Sequence, residues 1–414
     1  MVKIVLVFII FVLMALSNAK RKHTWLTPSS FLILLYTLSL LFTMIDIPMN
    51  DHRLVLQDKY WGPAIFMAIM IIAFLFPVLR FNETKLVSIR VPSRSFLDTF
   101  SAIIIILSFF SIIYYFQTVL NLLRGDLGAL RNALYIGEEY VEVGLWNTVA
   151  STSASLYVFA IVLFFIYLCL GTSKIRLVLL FISSFSEPMH VLTFVGRDGI
   201  VFWIFAFVYL FLLFRPFLKV SVVKKIKKVG LISGVLMLVP FMMISFGRFN
   251  DDGGVFNSIV NYFGQPFVNG TLYFGIDNPP VSPGSSFPLF YEITGIRMPE
   301  GAGRWEMGGT NSWVFGTFIE SWYSSLGSYL ALIICCLILG ALFFFVFNKN
   351  VKSLRFSKLF IYIVYFQIYA QGVFYFRQYT RGGNLFILLC FIMAVVFGFL
   401  QKTNRNIAIV KAEK

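Results

Sequence analysis

The sequence is poor in charge. Of its 414 residues only 13% are Asp, Glu, Lys or Arg, while 59% are hydrophobic. A soluble domain is nearer a quarter charged and half apolar, so a soluble globular chain is excluded: the surplus apolar surface has nowhere to go except lipid. Histidine is scarce too, with three in all, and the four cysteines (Cys169, Cys335, Cys336, Cys390) fall inside apolar runs. A histidine-rich metal centre is out of reach, and the cysteines read as packing residues rather than a disulfide framework. There is no P-loop, Rossmann glycine motif, HExxH or CxxC. Neither metal nor cofactor is expected. Paired, interrupted spans in two halves, the mark of an inverted-repeat transporter, are also missing.

What the chain does have is long apolar runs. A bilayer span needs about 20 residues. Continuous runs near 4–16, 29–46, 61–79, 99–119, 148–170, 175–195, 199–216, 229–246, 327–347, 358–376 and 383–400 predict about 11 transmembrane helices. Alternation, the sign of a membrane barrel, is absent. The expected fold is therefore an all-α polytopic membrane protein forming one integral membrane domain over 1–414. The first run has small Ser17 and Ala19 after it, as a signal peptide would. Only Lys3 precedes it, however, and Lys20, Arg21 and Lys22 follow at once. That order favours a retained span with an external N-terminus.

With that topology the charges separate. The cytoplasmic loops and C-terminus hold 23 basic and three acidic residues, the other side 11 basic and 16 acidic. The positive-inside rule accounts for the split and for the pI near 9.6. No nucleic-acid partner is needed; the partner is the lipid bilayer, with the C-terminus expected inside. On the external side, 247–311 is the largest loop, and 313–326 ("WVFGTFIESWYSSL") reads as a re-entrant or interfacial helix.

Positive charge is rare on that external side, so its arginines stand out. Arg197, Arg248, Arg377 and Arg381 all lie near outer span ends. Arg377 and Arg381 are spaced i, i+4 and are expected on one helix face. Convergent arginines make an anion site, since the planar guanidinium fork suits phosphate or diphosphate; snorkelling to headgroups is the competing reading for each alone. Glu187, His190 and Arg197 fall on one stripe if their segment is a single helix, and ionisable groups in a span are functional candidates. Asp251 and Asp252 sit in a Gly-rich turn and read as solvated loop. Glu320, inside the aromatic segment, is a better acid or base. Tyr262, Trp322 and Tyr323, with Phe263, Tyr273, Trp305 and Trp313, fit an interfacial belt or sugar stacking.

The layout resembles the bacterial Wzy-type O-antigen and capsular polysaccharide repeat-unit polymerases. The resemblance rests on "FVGRDG" with Arg197, "SFGRFNDDGG" with Arg248, "YFGQPF" from Tyr262 to Phe267, and "GTFIESWYSSLG" with Thr317, Phe318, Tyr323 and Gly327. Ser325 departs from it, standing where an acidic residue is common. The resemblance covers about 175–345 and, in span pattern, the whole chain.

The resemblance implies a GT-C-like membrane glycosyltransferase. It would move a growing glycan from undecaprenyl diphosphate onto the next lipid-linked repeat unit at the outer face of the membrane, with a chain-length regulator protein as partner. Arginines would stabilise the departing diphosphate without metal, and a carboxylate or histidine would take the acceptor proton. The expected catalytic set is Arg197, Arg248, Glu320, His190 and Glu187; the substrate-binding set is Arg377, Arg381, Tyr262, Tyr323 and Trp322. An O-antigen ligase is the alternative, disfavoured because such ligases place a histidine in the large external loop, where this chain has none. A lipid-linked oligosaccharide flippase is the alternative of another class.

Overall fold

The structure, a computed structural model, describes all residues except 126–143, 172, 250–253, 277–284, 296–305, 308–309, 312–314, 347–350, 404–406 and 413–414. It is that of an all-α polytopic membrane protein. Among the described residues eight helices are long and apolar enough to span a bilayer, or nine if the bent pair Leu145–Ala154 and Tyr157–Leu170 is one span. The expected run 327–347 appears as the shorter apolar helix Tyr329–Phe344. The expected span 358–376 is not one continuous helix. Phe356–Phe366 passes into a π-helical turn, Gln367–Gln371, and the helix ends at Gly372.

The described residues fall into two compact units. The first comprises Met1–Lys85, Phe256–Val351 and Ile361–Leu388; the second comprises Leu86–Val255, Lys352–Phe360 and Leu389–Lys414. Each unit is threaded by several stretches of chain.

Unit 1 is built on aromatics. Phe74, on the helix Trp61–Arg80, is ringed by Phe318, Trp322, Tyr365 and Tyr369 at centroid distances of 5.1, 5.5, 5.8 and 5.9 Å. Tyr365 and Tyr369 donate their hydroxyls to the carbonyls of Phe74 (2.6 Å) and Ile71 (2.5 Å). Lipid is as apolar as the side chains, so close packing and such hydrogen bonds hold this core, not expulsion from water. The helix Pro28–Met49 starts where Thr27 Oγ1 accepts from Ser30 N, with Pro28 at the first turn. The helix Val2–Lys22 buries Ile4, Val7 and Phe11, and its Asn18 donates to Ser29 and Ser30. At its end Lys22 forms a buried ion pair with Glu83, whose other oxygen accepts from Ser29 N.

Unit 2 carries a small sheet. Ser88–Val91 pairs in parallel with Ser353–Arg355 and antiparallel with Ile407–Val410. Beside it, Ala412 N donates to Pro216 O, and Arg176 pairs with Asp98.

The segment 247–311 is not the plain loop expected. It contains a 21-residue helix, Gly254–Phe274, with Pro266 inside it. Gly264 of this helix packs on Asp46, and the adjoining Gly275 packs on Tyr60. Asp46 lies in the last turn of Pro28–Met49, and Tyr60 directly precedes Trp61–Arg80. In 313–326 the described helix is Thr317–Leu326; at 10 residues it is too short to span.

Candidate functional site

The Thr317 helix begins under strain. Phe315 and Thr317 adopt positive φ (51° and 68°) on either side of Gly316. Non-glycine, and especially β-branched, residues avoid that region, and strain of this kind gathers at functional sites. It is held by the broken helix that faces it. Thr317 N donates to Phe374 O (3.1 Å) and Phe318 N to Gly372 O (2.9 Å). The first N–H groups of one helix thus satisfy carbonyls at the break of another.

Glu320 lies over this start. Its carboxyl rests so close to Gly316 that a Cβ there would collide with Oε2. The side chain is buried, Oε2 has no hydrogen-bond partner, and Tyr273, hydrogen-bonded to Ser324, lies beside it. Burial pushes the carboxyl up to about 8. At neutral pH it is an un-ionised acid, a proton or hydrogen-bond donor rather than a base. Thr317 Oγ1, also buried and unpartnered, is one turn away.

The arginine-bearing turn follows directly from the break. Phe376 N donates to Ser321 Oγ (3.3 Å) and its ring packs on Trp322 at 5.6 Å. Arg377 comes next and is half-buried. Arg377 and Arg381 do not share one helix face. Arg377–Tyr379 is a 3-10 turn, Thr380 is extended, and a new helix opens at Arg381 because Thr380 Oγ1 caps Gly383 N at 3.1 Å. Asn384 braces the turn, donating to Gln378 O (2.6 Å) and Ser286 O (3.0 Å). Arg381 is exposed and pairs with Glu292.

Tyr262, Trp322 and Tyr323 are core residues of unit 1. Tyr262 packs on Phe315 and Phe374 at 4.6 and 4.8 Å, Trp322 on Phe74 and Phe318, and Tyr323 on Tyr329 at 4.6 Å. Each packs among other rings.

The remaining expected residues belong to unit 2. The proposed stripe of Glu187, His190 and Arg197 is interrupted. The helix Ser186–Leu192 ends before a turn in which Val195 has φ 51°, and a second helix starts at Asp198. Glu187 Oε2 and His190 Nδ1 are 3.7 Å apart, and the His190 ring sits 5.0 Å from that of Tyr115. Arg197 occupies the cap position of Asp198–Phe214. It is buried to 6% exposure, with its guanidinium 5.4 Å from the Phe241 ring. Burial of this kind is not snorkelling. The side chain of Arg248, and Asp251, Asp252, Trp305 and Trp313, lie outside the described residues.

Sequence reasoning missed the strained start at 315–317 and the brace formed by Gln378 and Asn384. Only Gly316 before the Thr317 helix hinted at the first; the second depends on contacts between distant segments. Comparison with protein-family models, curated proteins and solved structures finds no match.

Proposed function

We propose that the chain is a Wzy-like polysaccharide polymerase: a metal-independent, GT-C-like membrane glycosyltransferase. It moves a growing glycan from undecaprenyl diphosphate to a hydroxyl of a lipid-linked repeat unit at the outer face of the bacterial cytoplasmic membrane. The observation that carries this reading is the Thr317 helix. The stretch on which the resemblance rests, "GTFIESWYSSLG", is a short, strained, buried helix presenting an unpartnered carboxyl. The segment bonded to it leads straight into Arg377.

Diphosphate is a good leaving group, so the demand on the protein is charge stabilisation. A bidentate arginine supplies this at about 3 kcal/mol per contact. Arg197, Arg248, Arg377 and Arg381 are the candidates, each open to test alone. Glu320, protonated at rest, donates a hydrogen bond to substrate oxygen. Incubating the purified protein with a lipid-linked repeat unit should give a ladder of polymers. A repeat unit recovered unchanged, in membranes where the protein is folded, would refute the reading.

A further inference from the structure

One buried acid–imidazole pair in unit 1 has no part in the arrangement above. Asp46 lies in the last turn of Pro28–Met49 and is fully buried. Asn50 Nδ2 donates to Oδ1 at 2.6 Å, while Oδ2 has no hydrogen bond. Facing Oδ2 is His52, whose Nε2 stands 3.5 Å away. Left-handed Asp51 (φ 54°) turns the chain back, and His52 N donates to Ile47 O at 3.0 Å, bringing the ring over the helix end.

The pair is walled on one side. A Cβ at Gly264 would come within 2.7 Å of Asp46 Cβ and 2.8 Å of the Phe42 carbonyl, and Thr43 Oγ1 donates to Gly264 O at 2.9 Å. The helix Gly254–Phe274 brings no Asp, Glu, Lys, Arg or His to it. Asp51 and Arg53 pair with each other on the surface, and Lys3 is turned to Gln57 O. His52 is the member that reaches the surface, with 15% of its side chain exposed.

We propose that His52, oriented by Asp46, is an acid–base site that takes the proton of a sugar hydroxyl. An Nε2–H directed at Asp46 leaves the Nδ1 lone pair free as the base, the division of labour in other carboxylate–histidine pairs. The 3.5 Å separation is long for a hydrogen bond, as such contacts often are before substrate binds. Resting on the glycosyl-transfer reading, the hydroxyl is that of the acceptor repeat unit. As its oxygen bonds the donor's anomeric carbon, its proton passes to Nδ1. The bond from that carbon to the diphosphate oxygen breaks, and undecaprenyl diphosphate leaves with the electron pair. His52 then releases the proton to water. An imidazole with a free nitrogen lone pair can take this proton; Glu320, protonated at neutral pH, cannot.

Two measurements on the full chain test this. The ladder assay on His52→Ala should show a loss of 10²-fold or more that added imidazole partly restores. An undiminished ladder, or a loss that imidazole leaves untouched, overturns the assignment. Independently, ¹⁵N spectra of histidine-labelled protein, with His52→Gln identifying the signal among three histidines, should show an Nε2-protonated ring that loses this preference in Asp46→Ala. An Nδ1-protonated ring, or one indifferent to Asp46, also overturns it. A wild type that makes no ladder defeats the glycosyl-transfer reading and the acceptor hydroxyl with it; the spectra still decide whether the pair exists.

Discussion

Replacing Glu320 with Gln should change how stability depends on pH. The carboxyl is buried, lacks a partner for Oε2, and is raised from its ordinary 4.5 to about 8 by burial. In the unfolded chain it ionises near its ordinary value. Between pH ~4.5 and ~8 the unfolded state therefore releases a proton that the folded state keeps, and stability falls as pH rises. The full effect is below the lower value and is lost on passing through the upper one. At about 1.36 kcal/mol per pH unit, this amounts to roughly 5 kcal/mol as a ceiling. Gln cannot ionise, so its curve lacks this term. It adds a buried amide with unmet hydrogen bonds, costing about 1–3 kcal/mol at every pH. The two curves should thus cross: wild type more stable near pH 5, Glu320→Gln more stable near pH 8. Thermal unfolding in detergent from pH 5 to 9 measures this. Parallel curves would refute the claim that the carboxyl is buried and protonated.

Other consequences are as direct. Arg197→Ala should cost about 3 kcal/mol of transition-state stabilisation, ~100-fold in polymerisation rate. Arg197→Lys should recover only part of this, because the fork is lost; equal activity of all three would indicate headgroup contact. Cysteines replacing Ser88 and Ser353, cross-strand partners with hydroxyls 2.9 Å apart, should form a disulfide on oxidation; failure would dissolve the sheet. In a background without native cysteines, Lys225→Cys and Ile293→Cys should react with impermeant maleimide from opposite sides of the membrane, and labelling of both from one side contradicts the map. Gly264→Ala must push against the Phe42 carbonyl 2.8 Å from the new Cβ. It should lower stability by about 1–3 kcal/mol, read as a fall in melting temperature.

The sequence by itself determined the membrane class, because lipid is the one solvent for long apolar runs. It also predicts that the basic loops lie together on one side, by the positive-inside rule. Glu320 was legible as a carboxyl inside an apolar, aromatic stretch. Helical periodicity misled where a break depends on partners far away in the chain. The stripe through Glu187, His190 and Arg197 fails at Val195, and the face shared by Arg377 and Arg381 fails at Thr380, whose hydroxyl caps a new helix. Asp46 was not singled out from the sequence, because its meaning depends on Asp51 turning His52 back and on Gly264 closing the other side. The helix Gly254–Phe274 was hidden by Pro266 and by its glycines and asparagines, poor helix formers alone. Tertiary packing decided these features: a strained turn at 315–317 or a buried carboxyl persists only when neighbours distant in sequence hold the backbone and exclude water.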